Sequence, residues 1–132
     1  MVYILGINCA YHESAACLIK DGKLIAFVEE ERFNRIKHAK PSKIDNSDEL
    51  PINSINFCLN KAGIKLKDVD YFGYSIIPEE RLKNIGVDKM SIPSGGWGTK
   101  KGENLFYQKN LNVPKKLSKL AKEDVSERFH FL

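Results

Sequence analysis

The dipeptide Asp21-Gly22, set between two apolar runs, constrains the fold of this chain more than any other feature. A two-residue Asp-Gly loop favours the primed turns whose twist matches that of paired strands, so it predicts a tight β-hairpin. The flanking runs, Ser14–Ile19 and Lys23–Glu29, are then its two arms. In the second arm Leu24, Ala26 and Val28 alternate with Ile25 and Phe27. Both alternating sets are apolar, which predicts a sheet covered on both sides. A third apolar run, Val2–Ile7, precedes the hairpin, so the chain is expected to open as a three-stranded antiparallel meander.

The next regular pattern comes after a charged stretch, Glu29–Lys40, and a polar loop, Pro41–Glu49. Ile52, Ile55, Leu59 and Ala62 recur at helical spacing, with Pro51 suited to the helix start and Gly63 to its stop. Tyr71–Ile77 reads as a fourth strand, returned to the sheet by a right-handed crossover. The order β-β-β-α-β implies an α/β fold similar to the ribonuclease-H-like half-domain of actin-like ATPases, sugar kinases and Hsp70. Residues 1–77 are therefore expected to form the core, and residues 78–113 a loop-rich insertion. In that insertion Ser91–Gly102 is glycine-rich and basic but has neither P-loop nor GxGxxG spacing, and its helix context is missing. It reads either as a loop over an anionic ligand or as an exposed excursion. Residues 114–132 are expected to hold an amphipathic helix, Pro114 to about Arg128, with Leu117, Leu120, Ala121 and Val125 on its apolar face. The chain closes on Phe129-His130-Phe131-Leu132, an apolar end that reads as a cut rather than a natural terminus.

Composition narrows the class. The 132 residues fit one small domain or a piece of a larger one, and a 42% hydrophobic content supports a packed core. Twenty-one basic against 17 acidic residues leave a mild charge of +4, enough to favour anionic small molecules and too little to argue for nucleic acid. Cys9, Cys17 and Cys58 are odd in number and form no CxxC pair, so they read as reduced thiols of a cytoplasmic protein. No apolar run approaches the ~20 residues that cross a bilayer, so no membrane partner is expected.

Two segments carry candidate chemistry. In Gly6-Ile-Asn-Cys-Ala-Tyr-His-Glu-Ser the first strand gives way to a turn bearing His12, Glu13 and Ser14. An imidazole there can act as a general base, with Glu13 orienting it and Ser14 donating to a phosphate or carbonyl oxygen. The plain alternative is a lone turn histidine. In Glu29-Glu-Glu-Arg-Phe-Asn-Arg-Ile-Lys-His three carboxylates precede a basic cluster in which Arg35, Lys37 and His38 suit phosphate or carboxylate recognition. Here the alternative is a salt-bridged surface stretch; the interrupting Phe33 and Ile36 imply that part of the segment is anchored in the core.

Together the two segments resemble the N-terminal domains of carbamoyltransferases of the nodulation and antibiotic-biosynthesis type. His12-Glu-Ser-Ala-Ala-Cys-Leu18, Asp21-Gly22 and Glu30-Glu31-Arg32-Phe33-x-Arg35-x-Lys37-His38 stand in that family's order and at similar separations. The stretch Pro51–Ile64 and the following Asp-Val-Asp strand match it as well. Glu13 departs from the family's usual Asp, and the loop 39–50 is longer than usual. The resemblance implies an enzyme that uses ATP and carbamoyl phosphate to form carbamoyl adenylate and passes the carbamoyl group to a hydroxyl acceptor. It implies His12 as the base, with Glu13, Ser14, Arg35, Lys37 and His38 near substrate or phosphate. It also implies a divalent metal, iron or a similar ion, whose ligands lie in family segments not present in this chain. The chain alone is therefore expected to be inactive, and a half-domain with an exposed sheet face is expected to self-associate. Two other readings remain: an actin-like ATPase or kinase fragment, which should show Asp-x-Gly-Thr/Ser in the first turn, and a stand-alone nucleotide- or partner-binding module.

Overall fold

The computed structural model describes residues 1–10, 13–39, 50–84 and 98–132. Strands β1 (Tyr3–Asn8), β2 (Ala15–Lys20), β3 (Lys23–Glu29), β4 (Tyr71–Tyr74) and β5 (Phe129–Phe131) form one sheet in the order β3-β2-β1-β4-β5. β1 runs antiparallel to β2, β2 antiparallel to β3, and β4 and β5 join parallel to β1. The β2–β3 turn places Asp21 and Gly22 at φ 48° and 77°, the left-handed pair that a primed turn demands. Asp21 also locks the neighbouring strand, since its carboxylate accepts from Val2 N at 2.8 Å.

Helix α2 (Ile52–Ala62) lies on β2 and β3. Pro51 occupies the cap position just ahead of it, and Gly63, at φ 67°, ends it with an amide bonded back to Asn60 and Leu59 carbonyls. Ile55, Cys58 and Leu59 point inward to meet Leu5, Ile7, Leu18, Phe72 and Tyr74 in one core cluster. That core also takes Val113 and Leu117 from α5 (Val113–Ala121) and Val125 beyond it.

Three expectations are corrected. The expected loop-rich insertion holds two helices among its described residues, α3 (Pro78–Asn84) and α4 (Lys100–Leu111). The glycine-rich stretch does have a helix context, because Thr99 caps α4 by accepting from Gly102 N at 3.1 Å. The C-terminal helix stops at Ala121 because Lys122 turns left-handed at φ 58°, which frees residues 129–131 to join the sheet.

The sheet is also covered on one side only among the described residues. Tyr3, Leu5, Ile7, Ala16 and Leu18 face the helices and are buried. On the opposite face Phe27 and Leu24 are 60% and 65% exposed. A bulge accounts for Leu24: Leu18 pairs with Ala26 but Ile19 pairs with Leu24, skipping Ile25. The extra residue turns Leu24 over to the Phe27 side, against the strict alternation expected of it. Among the described residues no helix is long and apolar enough to cross a membrane.

Ile55→Ala, which empties a fully buried site, should lower unfolding stability by about 2–5 kcal/mol in urea denaturation. Burial pushes the Cys58 thiol up from 9.0 to about 11, with Cys17 adding to the effect. The folded state then holds a proton that the unfolded state releases, so this contribution to stability is intact below pH 9 and is lost as pH rises toward 11. Cys58→Ala should flatten that part of the stability–pH profile.

Candidate functional site

The site is assembled where β1 ends. Asn8 donates from Nδ2 to the Glu13 carbonyl at 3.0 Å and accepts the Ser75 hydroxyl at 2.8 Å, linking the ends of β1 and β4. These are the carboxyl ends of two parallel strands, at the strand where the connections change from hairpin to crossover. Open α/β sheets form their binding crevices at such positions.

The charged segment folds back against this turn. After β3, Glu30 leads into a single helical turn, α1 (Glu31–Asn34), which ends with Arg35 left-handed at φ 61°. The chain then doubles back: Ala39 N bonds Ile36 O, and Asn34 Nδ2 bonds Ala39 O. This return brings His38 to Glu13. Glu13 N donates to His38 O at 2.6 Å, and His38 Nδ1 lies 2.9 Å from Glu13 Oε1. Since a carboxylate can only accept, Nδ1 carries the proton and Nε2 is the imidazole's other face. Glu31 completes the clamp by accepting from His38 N at 2.7 Å.

Glu30 anchors the whole segment. Its amide donates to Ser14 O at 2.8 Å, while its buried carboxylate receives Asn53 N and Nδ2, Ser54 N and Ser54 Oγ. Those donors belong to the first turn of α2, whose amides have no intrahelical partner and whose dipole favours a negative charge. A glutamate 23 residues upstream therefore caps α2 in place of the usual local side chain.

Backbone strain collects in the same place. Seven described non-glycine residues have positive φ, and five of them, Ala10, Glu13, Arg35, His38 and Ala39, lie in these two loops. Each left-handed non-glycine costs roughly 1 kcal/mol, and such positions cluster at functional sites. Beside the clamp, Glu31, Arg32, Arg35, Ile36 and Lys37 line an open groove of about 280 Å³.

The expected site residues are thus placed unequally. Glu13 and His38 are in direct contact, and Arg35 and Lys37 share the basic groove. Ser14 is buried at 3% exposure and takes part through its carbonyl. His12, and with it any pairing with Glu13, lies outside the described residues. Phe33 and Ile36 are exposed at 41% and 52%; Phe33 rests on Phe57 of α2, with ring centroids 6.0 Å apart, while Glu30 supplies the buried anchor. The end of the glycine-rich stretch is already matched to an anion within the chain. Gly98 N donates to the buried Glu103 carboxylate, which also pairs with Arg81 Nε at 3.2 Å. The pairing of Glu30 with Asn53 and of Glu103 with Arg81 left no signal in sequence spacing, because these partners are 23 and 22 residues away. Among the described residues no group of three or more His, Cys, Asp or Glu side chains could hold a metal ion.

A family model described as Carbamoyltransferase N-terminus matches residues 3–125. An uncharacterized protein of Synechocystis, sll1178, is 51% identical over 85 residues, covering 62% of this chain and 12% of that protein. Nodulation protein NolNO of Sinorhizobium fredii is 48% identical over 91 residues, 65% of this chain and 12% of its own length. A 19.2 kDa protein of Rhizobium etli, from the syrM 5′ region, is 48% identical over 67 residues, 51% of this chain and 34% of itself. The chain therefore spans about an eighth of the length of the first two relatives. Among solved structures, YeaZ from Pseudomonas aeruginosa superposes with a TM-score of 0.47 at 14% identity, covering all of this chain and 43% of its own.

Glu30→Ala should remove four hydrogen bonds from the start of α2 and cost about 3 kcal/mol. Glu13→Ala should cost under about 1 kcal/mol, because the Glu13 and His38 side chains are half exposed. Thermal unfolding of the two variants checks the ranking.

Proposed function

Because this chain belongs to the carbamoyltransferase N-terminus family, matched over residues 3–125, we propose that it forms the substrate-gripping half-domain of an O-carbamoyltransferase. The strand order β3-β2-β1-β4-β5, with its antiparallel and parallel halves, supports a ribonuclease-H-like half-domain of the actin-like ATPase type. The activity belongs to the whole protein: ATP and carbamoyl phosphate yield carbamoyl adenylate, and a hydroxyl-bearing small molecule accepts the carbamoyl group. One observation carries the reading: the Glu13–His38 clamp joins the turn after β1 to the basic segment, so two loops act as one surface.

The transfer step makes three demands. The acceptor oxygen attacks the carbamoyl carbon, its bond to carbon forms, and the bond from that carbon to the AMP phosphate oxygen breaks. The hydroxyl proton must go to a base, the developing oxyanion must meet positive charge, and the departing AMP must be held. His12, next to Glu13 in the chain, is the base in this scheme. Arg35 and Lys37 hold phosphate oxygens from the groove, Arg as a fork and Lys as a point charge. His38 stands beside the substrate oxygens in this scheme, with its ring held by Glu13 through Nδ1. Ser14 supports the turn through its bond to Glu30. The divalent metal expected of the family is given no step, since the described residues do not form a ligand set for it.

In the native protein that carries this chain, His12→Ala should abolish carbamoyl transfer while leaving ATP binding largely intact. Wild-type turnover in that variant would end the assignment of the base. Arg35→Ala should raise the KM for carbamoyl phosphate about 10- to 100-fold, the loss of one charge-assisted hydrogen bond. An unchanged KM would remove the groove from the substrate site.

A further inference from the structure

The first turn of α2 contributes no residue to the basic groove, whose lining is Glu31, Arg32, Arg35, Ile36 and Lys37, yet it holds the segment that forms the groove. Ser54 donates to Glu30 Oε2 from its amide at 2.9 Å and from its hydroxyl at 2.7 Å. Asn53 donates to Glu30 Oε1 from its amide at 3.3 Å and from Nδ2 at 2.7 Å. Ser54 and Glu30 are both buried, so water does not compete for these bonds. A second hold lies three residues on, where the Phe33 ring rests on Phe57.

A buried glutamate is a costly way to start a helix. Its carboxylate loses hydration, whereas a Ser, Asp or Asn at the position of Pro51 would cap α2 locally. What the remote carboxylate adds is registration, because four donors in fixed directions admit one placement of Glu30 on the helix. Short bonds carry that placement to the groove. The Glu30 carbonyl accepts from Phe33 N at 2.9 Å and from Asn34 N at 3.0 Å, and Arg35 N closes the turn on Glu31 O. Asn34 then bonds Ile36 N and Ala39 O, and Glu31 bonds His38 N. Residues 30–39 are thus one bonded unit, and a tilt at Glu30 is carried to Arg35 and Lys37 together.

We propose that Glu30, Asn53 and Ser54 are positioning residues for the phosphate grip: they set the direction of Arg35 and Lys37 and touch no substrate themselves. The assignment rests on the reading of the groove as the carbamoyl phosphate site. A guanidinium fork must align both of its N–H bonds with the phosphate oxygens, and a displacement of about 1 Å can cost on the order of 100-fold. Charge alone predicts the opposite sign. Glu30→Gln removes a negative charge next to the groove lining, which by itself would tighten the hold on an anion. It also sets an amide NH₂ against groups that only donate, so the register of segment and helix is lost. The grip should weaken.

The test follows carbamoyl-phosphate-dependent exchange of labelled pyrophosphate into ATP by the native protein that carries this chain, an assay that needs no hydroxyl acceptor. Glu30→Gln should raise the half-saturating carbamoyl phosphate concentration about 10-fold and Ser54→Ala about 3-fold, with the maximal rate within about twofold of wild type. Should Glu30→Gln fail to fold, Ser54→Ala decides, since it keeps the charge and removes one hydroxyl. Ile55→Ala is the control, because it opens a cavity on the core face of the same helix and should leave half-saturation at the wild-type value. A rise in Ile55→Ala equal to that in Glu30→Gln overturns the assignment, since lost stability then accounts for both. An unchanged or lowered value in Glu30→Gln and Ser54→Ala, in a protein where Arg35→Ala raises it, overturns the assignment and leaves the groove as the phosphate site. No effect of Arg35→Ala removes the groove from the phosphate site, and the positioning roles fall with it.

Discussion

Glu30 is the residue on which the arrangement of the site depends. It is a carboxylate buried at the junction of three elements, and burial of a charge is tolerated only when its lone pairs are met. Here four donors from the first turn of α2 meet them, and the Glu30 amide reaches Ser14 in the turn after β1. One residue thus fixes the hairpin, the basic segment and the helix relative to one another. The helix benefits in return, because its opening amides gain a partner that its own cap residue, Pro51, cannot supply. Without this contact the segment that carries Arg35, Lys37 and His38 is held by the half-exposed Glu13–His38 contacts and by Phe33 against Phe57.

The strained loops follow from that anchoring. A chain held at Glu30 and required to return His38 to Glu13 within a few residues must reverse direction sharply. It does so through left-handed backbone at Arg35, His38 and Ala39. The cost is offset by bonds that would not otherwise form: Glu31 to the His38 amide, Asn34 to Ala39, and the paired Glu13–His38 contacts. Rigid elements at both ends and strain between them are the conditions under which polar groups are pre-organised for a ligand.

The two faces of the sheet differ sharply. The sheet's helix-covered face is packed with Leu5, Leu18, Phe72 and Tyr74, while its other face is apolar and uncovered among the described residues. The Leu18/Ile19 bulge sharpens the contrast by adding Leu24 to the bare side. The packed face holds the ends of β1 and β4 in place, and Leu24 and Phe27 remain exposed on the other face among the described residues.

The local signals were legible because they rest on chemistry between near neighbours. Asp21-Gly22 dictates its turn through φ alone, Gly63 stops its helix for the same reason, and the 3.6-residue repeat of Ile52, Ile55 and Leu59 declares a buried stripe. The linked motifs around His12 and Arg35 disclosed the family by their order in the chain. Other features were hidden for physical reasons. A bulge leaves no mark on composition, so Leu24 was assigned to the wrong face. Thr99 looked like part of a loop because its cap needs only one hydroxyl and the helix behind it is polar. The pairing of Glu13 with His38 and of Glu30 with Ser54 joins residues 25 and 24 positions apart, a separation over which propensity carries no information. The sequence by itself determined the opening hairpin, the α2 helix and the strand that follows it, and which residue types gather in the two motifs. Only the tertiary structure decided which carboxylate meets which imidazole and which face of the sheet stays open, because those outcomes depend on how distant elements pack rather than on what any one of them prefers.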